Sequence, residues 1–570
     1  MTPWFVLLVA ATSTIDVEIT FDHVARIEVS GCRDSDREVD ELRVGASGVT
    51  ACAKRRCKSK KRVELSCTDG VAKTAAGDKR LPERVTVHVD TGRLVVVAPV
   101  ELERYVAGVV RAELGEAPDE ARGAQAIVSR TYAMNALVAP RHEHTHVCDL
   151  THCQVFRPTA RLAAEPGRIL LDDRGRVAEV YFHGACGGRT IAAREAWPRS
   201  SATAPGVDDR RDNGEPWCRD GRASWSYTID VEALATILSK SLGRTLDPKT
   251  LAIEVNGADA MVGDQRAQRR VTARDLARTI AKARGWNTVE SPRFTVTRRG
   301  RQVRFEGTGR GHGVGLCQSG AIARAQAGWT TERILDAYFP TYAVQEVAGP
   351  PLRVATTGDY PPFSESKPTG DEGVDIDLAR RIGARLKRPV VFVRTTWPTL
   401  MADLAAGRYD LALSGITVTD ARRRVASFSR PYYRGAKRAV VRCGDEERLA
   451  SLAAIDRPMH RVVVNPGGTN ERFVRRHVKN AKIRVTKTNL EIYDVLEAGD
   501  ADALFTDAIE ADYQTKRRDA LCIGAGGERF DPFDIAAMAP KGSPLIEAVD
   551  ATLAALASSG ELAQIFARHQ

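Results

Sequence analysis

The sequence lacks any apolar run long enough to cross a lipid bilayer. The hydrophobic stretch near the start, residues 4–11, is far too short, and no later segment is apolar enough. The chain also lacks low-complexity tracts, detectable internal repeats and a dense Lys/Arg stripe interleaved with aromatic residues. These absences argue against a membrane-spanning chain, a repeat protein and a nucleic-acid-binding protein.

What the sequence does have is the composition of an ordinary globular protein on a long chain. Its 570 residues exceed what one core can organise, and at about 150 residues per domain they predict three or four folding units. The excess of 84 Lys+Arg over 73 Asp+Glu gives a net charge of +11. This excess either favours anionic surroundings such as cell-wall polymers or reflects a coding bias toward arginine.

Cysteine usage indicates where the protein works. Eleven cysteines spread along the chain favour an oxidising compartment, and the odd number leaves one unpaired unless a metal takes some of them. Residues 1–13 place a short apolar run before small residues, as a secretory signal segment does. We therefore expect a periplasmic or secreted protein.

The pattern of the chain divides it into successive segments. Residues 14–84 alternate short β-like runs with polar turns and predict a β-rich N-terminal region. Residues 85–347 mix helical and strand patterns, which predicts an α+β fold for the N-terminal half. Residues 348–352 contain paired prolines and are predicted to be a linker. Residues 353–568 alternate strand and helix, which is typical of an α/β sheet.

Several motifs between residues 85 and 347 occur in a characteristic order. In chain order they are LERYVAGVVRAELGEAPDEARGAQAIVSRTYAMN, CDLTHCQVF, YFHGACGGRT and GRGHGVGLCQSGAIARAQAGWTTERILDAYFP. This region resembles the stage II sporulation protein D / amidase-enhancer family. The resemblance implies a peptidoglycan-active domain. It acts either as a lytic transglycosylase that leaves 1,6-anhydro ends on glycan strands or as a non-catalytic enhancer of a cell-wall amidase.

Glu113 lies where a predicted helix gives way to a loop before Pro118, and the resemblance places the family's catalytic glutamate there. One carboxyl group can serve as acid and then as base in a lytic transglycosylase, because a sugar hydroxyl rather than water attacks the anomeric carbon. Such a group works best when burial raises its pKa. The alternative is a structural salt bridge from Glu113 to Arg111 or Arg130.

The segment HEHTHVCDLTHCQ, residues 142–154, concentrates histidine and cysteine. Zinc takes four tetrahedral Cys or His ligands, and some members of the resembled family hold zinc through this segment. The resemblance implies a structural zinc with ligands His142, Cys148, His152 and Cys153. His144 or His146 could replace His142 in that set. The alternatives are a Cys148–Cys153 disulfide and a polar loop that lines the glycan groove.

The glycine-rich run GRGHGVGLCQSGA lacks the Gly-Lys-Ser/Thr ending of a phosphate-binding loop. Its glycines instead allow tight turns, which would direct His312 and Gln318 toward a cleft as sugar-binding groups. A core position for His312 is the alternative. Three tryptophans could stack on sugar rings but are expected in the buried aromatic core: Trp197, Trp217 and Trp225.

Residues 352–568 resemble the family 3 extracytoplasmic solute-binding proteins and, within them, the periplasmic cyclohexadienyl dehydratases. The motifs that carry this resemblance are TTGDYPPF, GVDIDLA, TTWPTLMADLAAGRYDLALSGITVT, FSRPYYRGAK, NPGGTNERF and TDAIEADYQ. The implied fold is a two-lobed, type II periplasmic-binding-protein-like α/β structure that closes over a small molecule. We expect lobe 1 to comprise residues 353–441 and 536–568, and lobe 2 residues 442–535.

The residues of this half suit a small carboxylated ligand such as prephenate, arogenate or an amino acid. Arg422 can grip a carboxylate with both arms of its guanidinium group. Gly467, Gly468 and Thr469 precede a helical pattern, so their amides and the threonine hydroxyl can complete an anion site. For Arg422, surface ion pairing is the alternative.

Further roles in this half follow from the resemblance. Asp507 resembles the carboxylate that meets an α-ammonium group, although a surface ion pair is the alternative. Lys437 could bind a second carboxylate, and Trp397 could pack on a ring. Cys443 and Cys522 match a disulfide-forming pair of the dehydratases. No cofactor is expected for the C-terminal half.

Glu510 distinguishes an enzyme from a carrier in this half. Dehydratases of this group use a glutamate at that position as the general acid that protonates the departing ring hydroxyl of prephenate or arogenate. A solvated helix residue is the alternative. In that case the C-terminal half would be a non-catalytic binding or sensor module for an amino acid or wall fragment, and it could regulate the N-terminal half.

Overall fold

The computed structural model describes residues 14–569 apart from 22–23, 47, 55, 75–76, 144, 160–165, 199, 201, 219–223 and 368–369. The expected signal segment 1–13 and the alternative zinc ligand His144 lie outside the described residues. The chain separates into two compact units, Met1–Gly349 and Pro350–Gln570. The boundary between the units lies immediately before the paired prolines Pro350 and Pro351.

A ten-stranded sheet forms the first part of the N-terminal unit. In spatial order its strands are Val147–Cys148, Thr14–Ile19, Arg93–Glu101, Arg84–Asp90, Arg62–Thr74, Arg26–Asp34, Arg37–Gly45, Gly48–Ala53 and Arg56–Lys60, with Gly77–Arg80 paired to Arg62–Thr74. Val63 and Leu65 are buried between exposed neighbours, as the alternation of a half-buried strand requires. The prediction of a β-rich N-terminal region is confirmed.

Two helices that pack together follow this sheet, Leu102–Leu114 and Asp119–Val138. The first helix ends at Gly115, which has a φ of 58° that favours glycine. Pro118 stands immediately before the second helix, where its fixed φ and missing N–H do no harm. The turn between the helices therefore sets where the last residues of the first helix point.

The rest of the N-terminal unit completes this core with short elements. They are the paired strands Arg168–Leu171 and Ala343–Glu346, the parallel pair Phe182–His183 and Leu316–Cys317, and the helices Ala193–Ala196, Gln318–Gln326 and Thr331–Tyr338. The strand Leu316–Cys317 is followed directly by the helix that begins at Gln318.

A separate hydrophobic core occupies the segment between Ser224 and Thr308. Its elements are the sheet Ser224–Asp230, Gln302–Thr308 and Phe294–Arg299, the sheet Ala252–Asn256, Asp259–Gly263 and Gln268–Thr272, and the helices Val231–Leu242 and Ala273–Arg284. Trp225 is 8% exposed and packs against Phe294 in this core, as expected for a buried aromatic residue.

The C-terminal unit contains two mixed sheets flanked by helices. In spatial order the first sheet is Val390–Arg394, Leu352–Thr356, Leu411–Ala412, Met538–Pro540 and Ala426–Phe428. The second is Lys482–Val485, Arg461–Val464, Ala503–Asp507, Tyr433–Arg442 and Leu521–Ile523, with Phe530–Ile535 also paired to Tyr433–Arg442. The predicted α/β alternation is confirmed. The strand Tyr433–Arg442, mostly expected in lobe 1, belongs to the second sheet.

Helices cover both sheets, and a small sheet lies beside the first. The helices are Val374–Arg385, Leu400–Ala405, Asp420–Val425, Leu452–Ile455, Thr469–His477, Glu491–Glu497, Ala508–Thr515, Leu545–Ser558 and Glu561–His569, with a 3-10 turn at Ala525–Gly527. The small sheet comprises Asp359–Tyr360, Ser364–Lys367 and Gly370–Glu372. Among the helices described here, none has both the length and the apolarity that crossing a bilayer requires.

Three disulfides link cysteines that lie on, or directly next to, paired strands. Cys32–Cys67 and Cys52–Cys57 each join residues directly opposite one another on paired strands of the ten-stranded sheet. Cys443–Cys522 closes a separation of 79 residues in the C-terminal unit. This last bond is the one that the resemblance implies.

We expect the Cys443→Ser/Cys522→Ser variant to lose more stability than a matched Cys52→Ser/Cys57→Ser variant. The two bonds span separations of 79 and 5 residues. Loop-closure entropy of the unfolded chain then gives about 4.5 and about 2 kcal/mol respectively. Urea unfolding of both variants measures the difference. Equal losses would contradict the expectation.

Candidate functional site

Glu113 occupies the last turn of the helix Leu102–Leu114 and is held by two hydrogen bonds. The backbone N–H of Val155 donates to Oε1 at 2.9 Å, and the side-chain amide of Gln318 donates to Oε2 at 3.3 Å. Gln318 also contacts the buried Gln125, at 3.4 Å. The structure thus brings together two of the predicted residues, Glu113 and Gln318, although 205 positions separate them.

Burial raises the pKa of Glu113 above its ordinary value, while the hydrogen bonds from Val155 and Gln318 oppose this rise. The position at the C-terminal end of a helix disfavours negative charge as well. Arg130 instead pairs with Glu103 through two contacts of 2.7 and 2.6 Å. Glu113 has no ion pair within the described part of the chain, so the salt bridge to Arg130 is not formed.

His312 belongs to an aromatic cluster near the same glycine-rich run. Its ring lies 5.0 Å from Trp197, 5.7 Å from His183 and 6.0 Å from Tyr181, measured between centroids. Burial, reinforced by His183, lowers the pKa of His312 to about 3, which keeps the imidazole neutral. Its ring contacts are therefore with this cluster, whereas Gln318 is the residue of the run that reaches Glu113.

The expected zinc ligands lie close together. Their ligand atoms all fall within 4.8 Å of one another: His142, Cys148, His152 and Cys153. The two sulfur atoms are 3.1 Å apart, which is too far for a disulfide, and His142 Nε2 lies 3.2 Å from Cys153 Sγ. The donor set fits a tetrahedral ion. His146 instead accepts a hydrogen bond from the backbone of Asp16.

The C-terminal unit has a cleft lined by eleven described residues. They are Tyr360, Trp397, Gly415, Thr417, Arg422, Asn465, Gly468, Thr469, Asn470, Asn489 and Asp507. Five of these were predicted to bind the ligand: Trp397, Arg422, Gly468, Thr469 and Asp507. Aromatic rings, amides and one unpaired guanidinium group therefore face the same space, which suits a small polar ligand with an apolar part.

Arg422 is the cation of this cleft. It is 7% exposed, and its guanidinium group donates to the carbonyl of Thr417 at 2.8 Å. Burial, reinforced by Arg472, lowers the pKa of Arg422 to about 10. No carboxylate pairs with Arg422 within the described residues, so the alternative of a surface ion pair is not formed. A ligand carboxylate would supply the missing charge.

Lys437 and Asp507 form an ion pair with each other. They stand opposite one another on the antiparallel strands Tyr433–Arg442 and Ala503–Asp507, and both side chains are 3% exposed. Lys437 also donates to Thr469 Oγ1 at 2.9 Å, and the Tyr360 hydroxyl donates to Asp507. The two predicted ligand contacts therefore neutralise one another in this structure.

Glu510 lies one helical turn beyond Asp507 and is completely buried, not a solvated helix residue. It is absent from the lining of the cleft. The hydroxyl of Thr506 donates to Oε2, whereas Oε1 has no hydrogen-bond partner among the described residues. Burial is the main cause that raises the pKa of Glu510 to about 8, and the negative Asp507 adds to it while Thr506 opposes it.

Known proteins match each unit separately. Residues 352–570 match the family model of the bacterial extracellular solute-binding proteins, family 3. A cyclohexadienyl dehydratase of Pseudomonas aeruginosa is 42% identical over 214 residues, which are 37% of this chain and 80% of that protein. The chain belongs to this solute-binding family. Residues 90–173 match the family model of the Stage II sporulation protein.

Two further matches to this unit have lower sequence identity. An L-cystine-binding protein of Escherichia coli (strain K12) is 28% identical over 214 residues, which are 37% of this chain and 79% of that protein. Among solved structures, an ancestral amino acid-binding protein described as a precursor of cyclohexadienyl dehydratase is 30% identical. The match covers 38% of this chain and 94% of that chain, with a TM-score of 0.36.

The buried Glu510 predicts a pH dependence for the stability of the solute-binding unit. In the unfolded chain a glutamate loses its proton near pH 4.3, whereas the folded pKa is about 8. The free energy of unfolding should therefore fall as the pH rises from about 4.3 to about 8, because only the unfolded state gains from ionisation. Glu510→Gln should remove this part of the fall.

Urea unfolding of the wild type and Glu510→Gln at pH 5 and pH 8 measures this effect. We expect the variant to gain stability relative to the wild type at the higher pH. Glu447→Gln, which alters an exposed carboxylate of the same unit, is the control. The same pH dependence in the wild type and Glu510→Gln would contradict the burial argument.

Proposed function

We propose that the solute-binding unit is a dehydratase that acts on a cyclohexadienyl acid such as prephenate or arogenate. The observation that carries this proposal is the buried, unpaired carboxyl group of Glu510 with a pKa raised to about 8, beside a cleft that holds the unpaired cation Arg422. The 42% identity to a cyclohexadienyl dehydratase supports the same function.

The residues of the cleft have separate roles in this reaction. Arg422 holds a ligand carboxylate, and the amides at the start of the helix Thr469–His477 add anion contacts. The rings of Tyr360 and Trp397, whose centroids are 5.4 Å apart, pack against the substrate ring. Together these contacts fix the ring relative to the acid.

The chemical step requires one proton from the protein. The carbon–carbon bond to the ring carboxylate breaks and carbon dioxide leaves, while its electrons complete the aromatic ring and expel the ring hydroxyl. Glu510 is protonated at neutral pH and gives its proton to that hydroxyl, which departs as water. The Oε1 atom, which has no partner among the described residues, is free to face the substrate when the lobes close.

The charge of the cleft favours prephenate over an amino acid. Because Lys437 and Asp507 neutralise each other, Arg422 remains as the uncompensated charge at the ligand position. An α-ammonium group would have to break the Lys437–Asp507 pair before it could meet Asp507. A ligand with carboxylates and no ammonium group avoids that cost.

We expect purified protein to convert prephenate to phenylpyruvate, followed by absorbance. Glu510→Gln should lower kcat by about 100- to 10,000-fold, because removal of a general acid costs that much. Arg422→Lys should raise KM, since lysine lacks the fork that matches a carboxylate. Glu447→Gln is the control for an exposed acid. Full turnover by Glu510→Gln would refute the assignment.

A solute sensor is the second candidate for this unit. The absence of Glu510 from the cleft lining favours it, as does the similarity to an L-cystine-binding protein and an L-arginine-binding protein. In that function the unit would bind an amino acid or wall fragment and regulate the N-terminal unit. Calorimetric binding of an amino acid without any turnover of prephenate would support the sensor and exclude the dehydratase.

For the N-terminal unit we propose a peptidoglycan lytic transglycosylase exported to the cell envelope. Glu113 is the acid, because its pKa is raised by burial and it has no cation partner among the described residues. It protonates the leaving glycosidic oxygen and then takes the proton of the C6 hydroxyl that forms the 1,6-anhydro ring. Gln318 positions the carboxyl group through its contact with Oε2. The match to the Stage II sporulation protein model supports this activity.

Glycan strands stripped of stem peptides provide the test. Wild type should release anhydromuramoyl ends that mass spectrometry detects, and Glu113→Gln should lose this activity by at least the 100-fold typical of a missing general acid. Glu116→Gln, an exposed acid three residues further on, should keep it. If Glu113→Gln still stimulates a cell-wall amidase and the wild type cleaves no glycan, the unit is an amidase enhancer.

We further propose that the donor set of His142, Cys148, His152 and Cys153 holds a structural zinc. Four protein ligands would close the coordination shell, which leaves no position for a substrate. The chain beyond Cys153 leads within two residues to Val155, whose N–H holds Glu113. Bound zinc would stabilise the loop that presents this N–H.

A further inference from the structure

Four buried side chains of the N-terminal unit converge apart from the histidine-rich segment. They are Cys186, Asp209, Cys218 and Cys317, and their ligand atoms all lie within 4.8 Å of one another. Each of the four residues is at most 2% exposed. None of them takes part in the chemistry proposed for Glu113.

The ligand atoms of these four residues lie close enough together for one ion to contact all of them. Cys186 Sγ lies 3.5 Å from Cys218 Sγ and 2.9 Å from Asp209 Oδ2. Two sulfur ligands of a tetrahedral zinc, each about 2.3 Å from the ion, lie about 3.8 Å apart. A disulfide requires about 2.05 Å. We infer that these four side chains form a second, closed metal site for a soft divalent cation, with Zn²⁺ as the best fit.

The carboxylate of Asp209 is oriented for this role by groups on its other side. Its Oδ1 accepts hydrogen bonds from Arg324 and from the Tyr338 hydroxyl, the latter at 2.9 Å. The other carboxylate oxygen, Oδ2, therefore faces the thiol groups. Metal-binding carboxylates are usually fixed by such outer contacts, which here are also buried.

Backbone N–H groups point at the sulfur atoms. The N–H of Gly188 donates to Cys186 Sγ at 3.3 Å. Cys317 Sγ receives the N–H of Cys186 at 3.2 Å and that of Gly320 at 3.4 Å. Such donors stabilise thiolates, which are the form of cysteine that binds metal. The surroundings of the sulfur atoms therefore suit ligands more than buried apolar thiols.

The charges balance when an ion is present. Three thiolates and one carboxylate would be offset by a divalent ion, by the guanidinium group of Arg324 and by that of Arg293, which donates to the Cys186 carbonyl at 2.8 Å. Binding would release the three thiol protons to solvent. Without an ion, a Cys186–Cys218 disulfide would leave Cys317 without a partner.

Metal binding at this second site would influence Glu113 through the connected residues of the chain. Cys317 is the residue that caps the helix Gln318–Gln326, and Gln318 donates to Glu113. An ion that ties Cys317 to Cys186 and Asp209 would fix the start of that helix. The second site is therefore a structural one that positions Gln318.

The test uses the full chain with Cys148→Ser/Cys153→Ser, which removes the other donor set. This background should retain one equivalent of zinc per chain after dialysis, measured by mass spectrometry of the metal. Adding Cys218→Ser should abolish that equivalent, whereas adding Cys52→Ser/Cys57→Ser, a disulfide outside the cluster, should not. Circular dichroism checks that each variant is folded.

A second measurement does not depend on the folding of a variant. Cobalt loaded into the same background should show the thiolate-to-metal charge-transfer and intense visible bands of a tetrahedral sulfur site. The inference is overturned if the background binds no ion, whether its three thiols are free or two have formed a disulfide. It is also overturned if a folded Cys218→Ser variant keeps the zinc.

Discussion

A carboxyl group that is removed from water without a cation beside it has a raised pKa, and both units of this chain contain one. Glu113 is half-buried in the last turn of a helix, and Glu510 is completely buried one turn beyond a strand. Burial is the largest cause of the raised pKa in each case. The acid chemistry that we propose for both units depends on this single condition.

Two other buried carboxylates of the chain form ion pairs. Asp507 pairs with Lys437, and Asp209 pairs with Arg324. The Lys437–Asp507 pair cancels its own charge, so that Arg422 is the charged group without an ionic partner among the described residues that line the cleft.

The sequence predicts local features well and distant pairings poorly. Gly115 and Pro118 reveal the end of one helix and the start of the next, so the position of Glu113 follows from them. The pairing of Lys437 with Asp507 depends on the register of two antiparallel strands, which no local pattern reports. The buried group of Cys186, Asp209, Cys218 and Cys317 was missed because its members span 131 residues and no short metal-ligand spacing connects them.

Both donor clusters follow Glu113 in the chain, and each ends next to a residue that contacts the carboxyl group of Glu113. Val155 follows Cys153 by two residues and holds Oε1, while Gln318 follows Cys317 directly and holds Oε2. These two hydrogen bonds can keep the carboxyl group in one orientation without adding a positive charge beside it. That arrangement preserves the raised pKa and still fixes the geometry.

The protonation state of the two glutamates tests this account most directly. In a chain labelled with ¹³C at the glutamate carboxyl carbon, the resonances missing from Glu113→Gln and Glu510→Gln identify the two groups. We expect Glu510 to titrate near pH 8 and Glu113 above the ordinary value of about 4.3. Titration of both groups at that ordinary value would contradict the account.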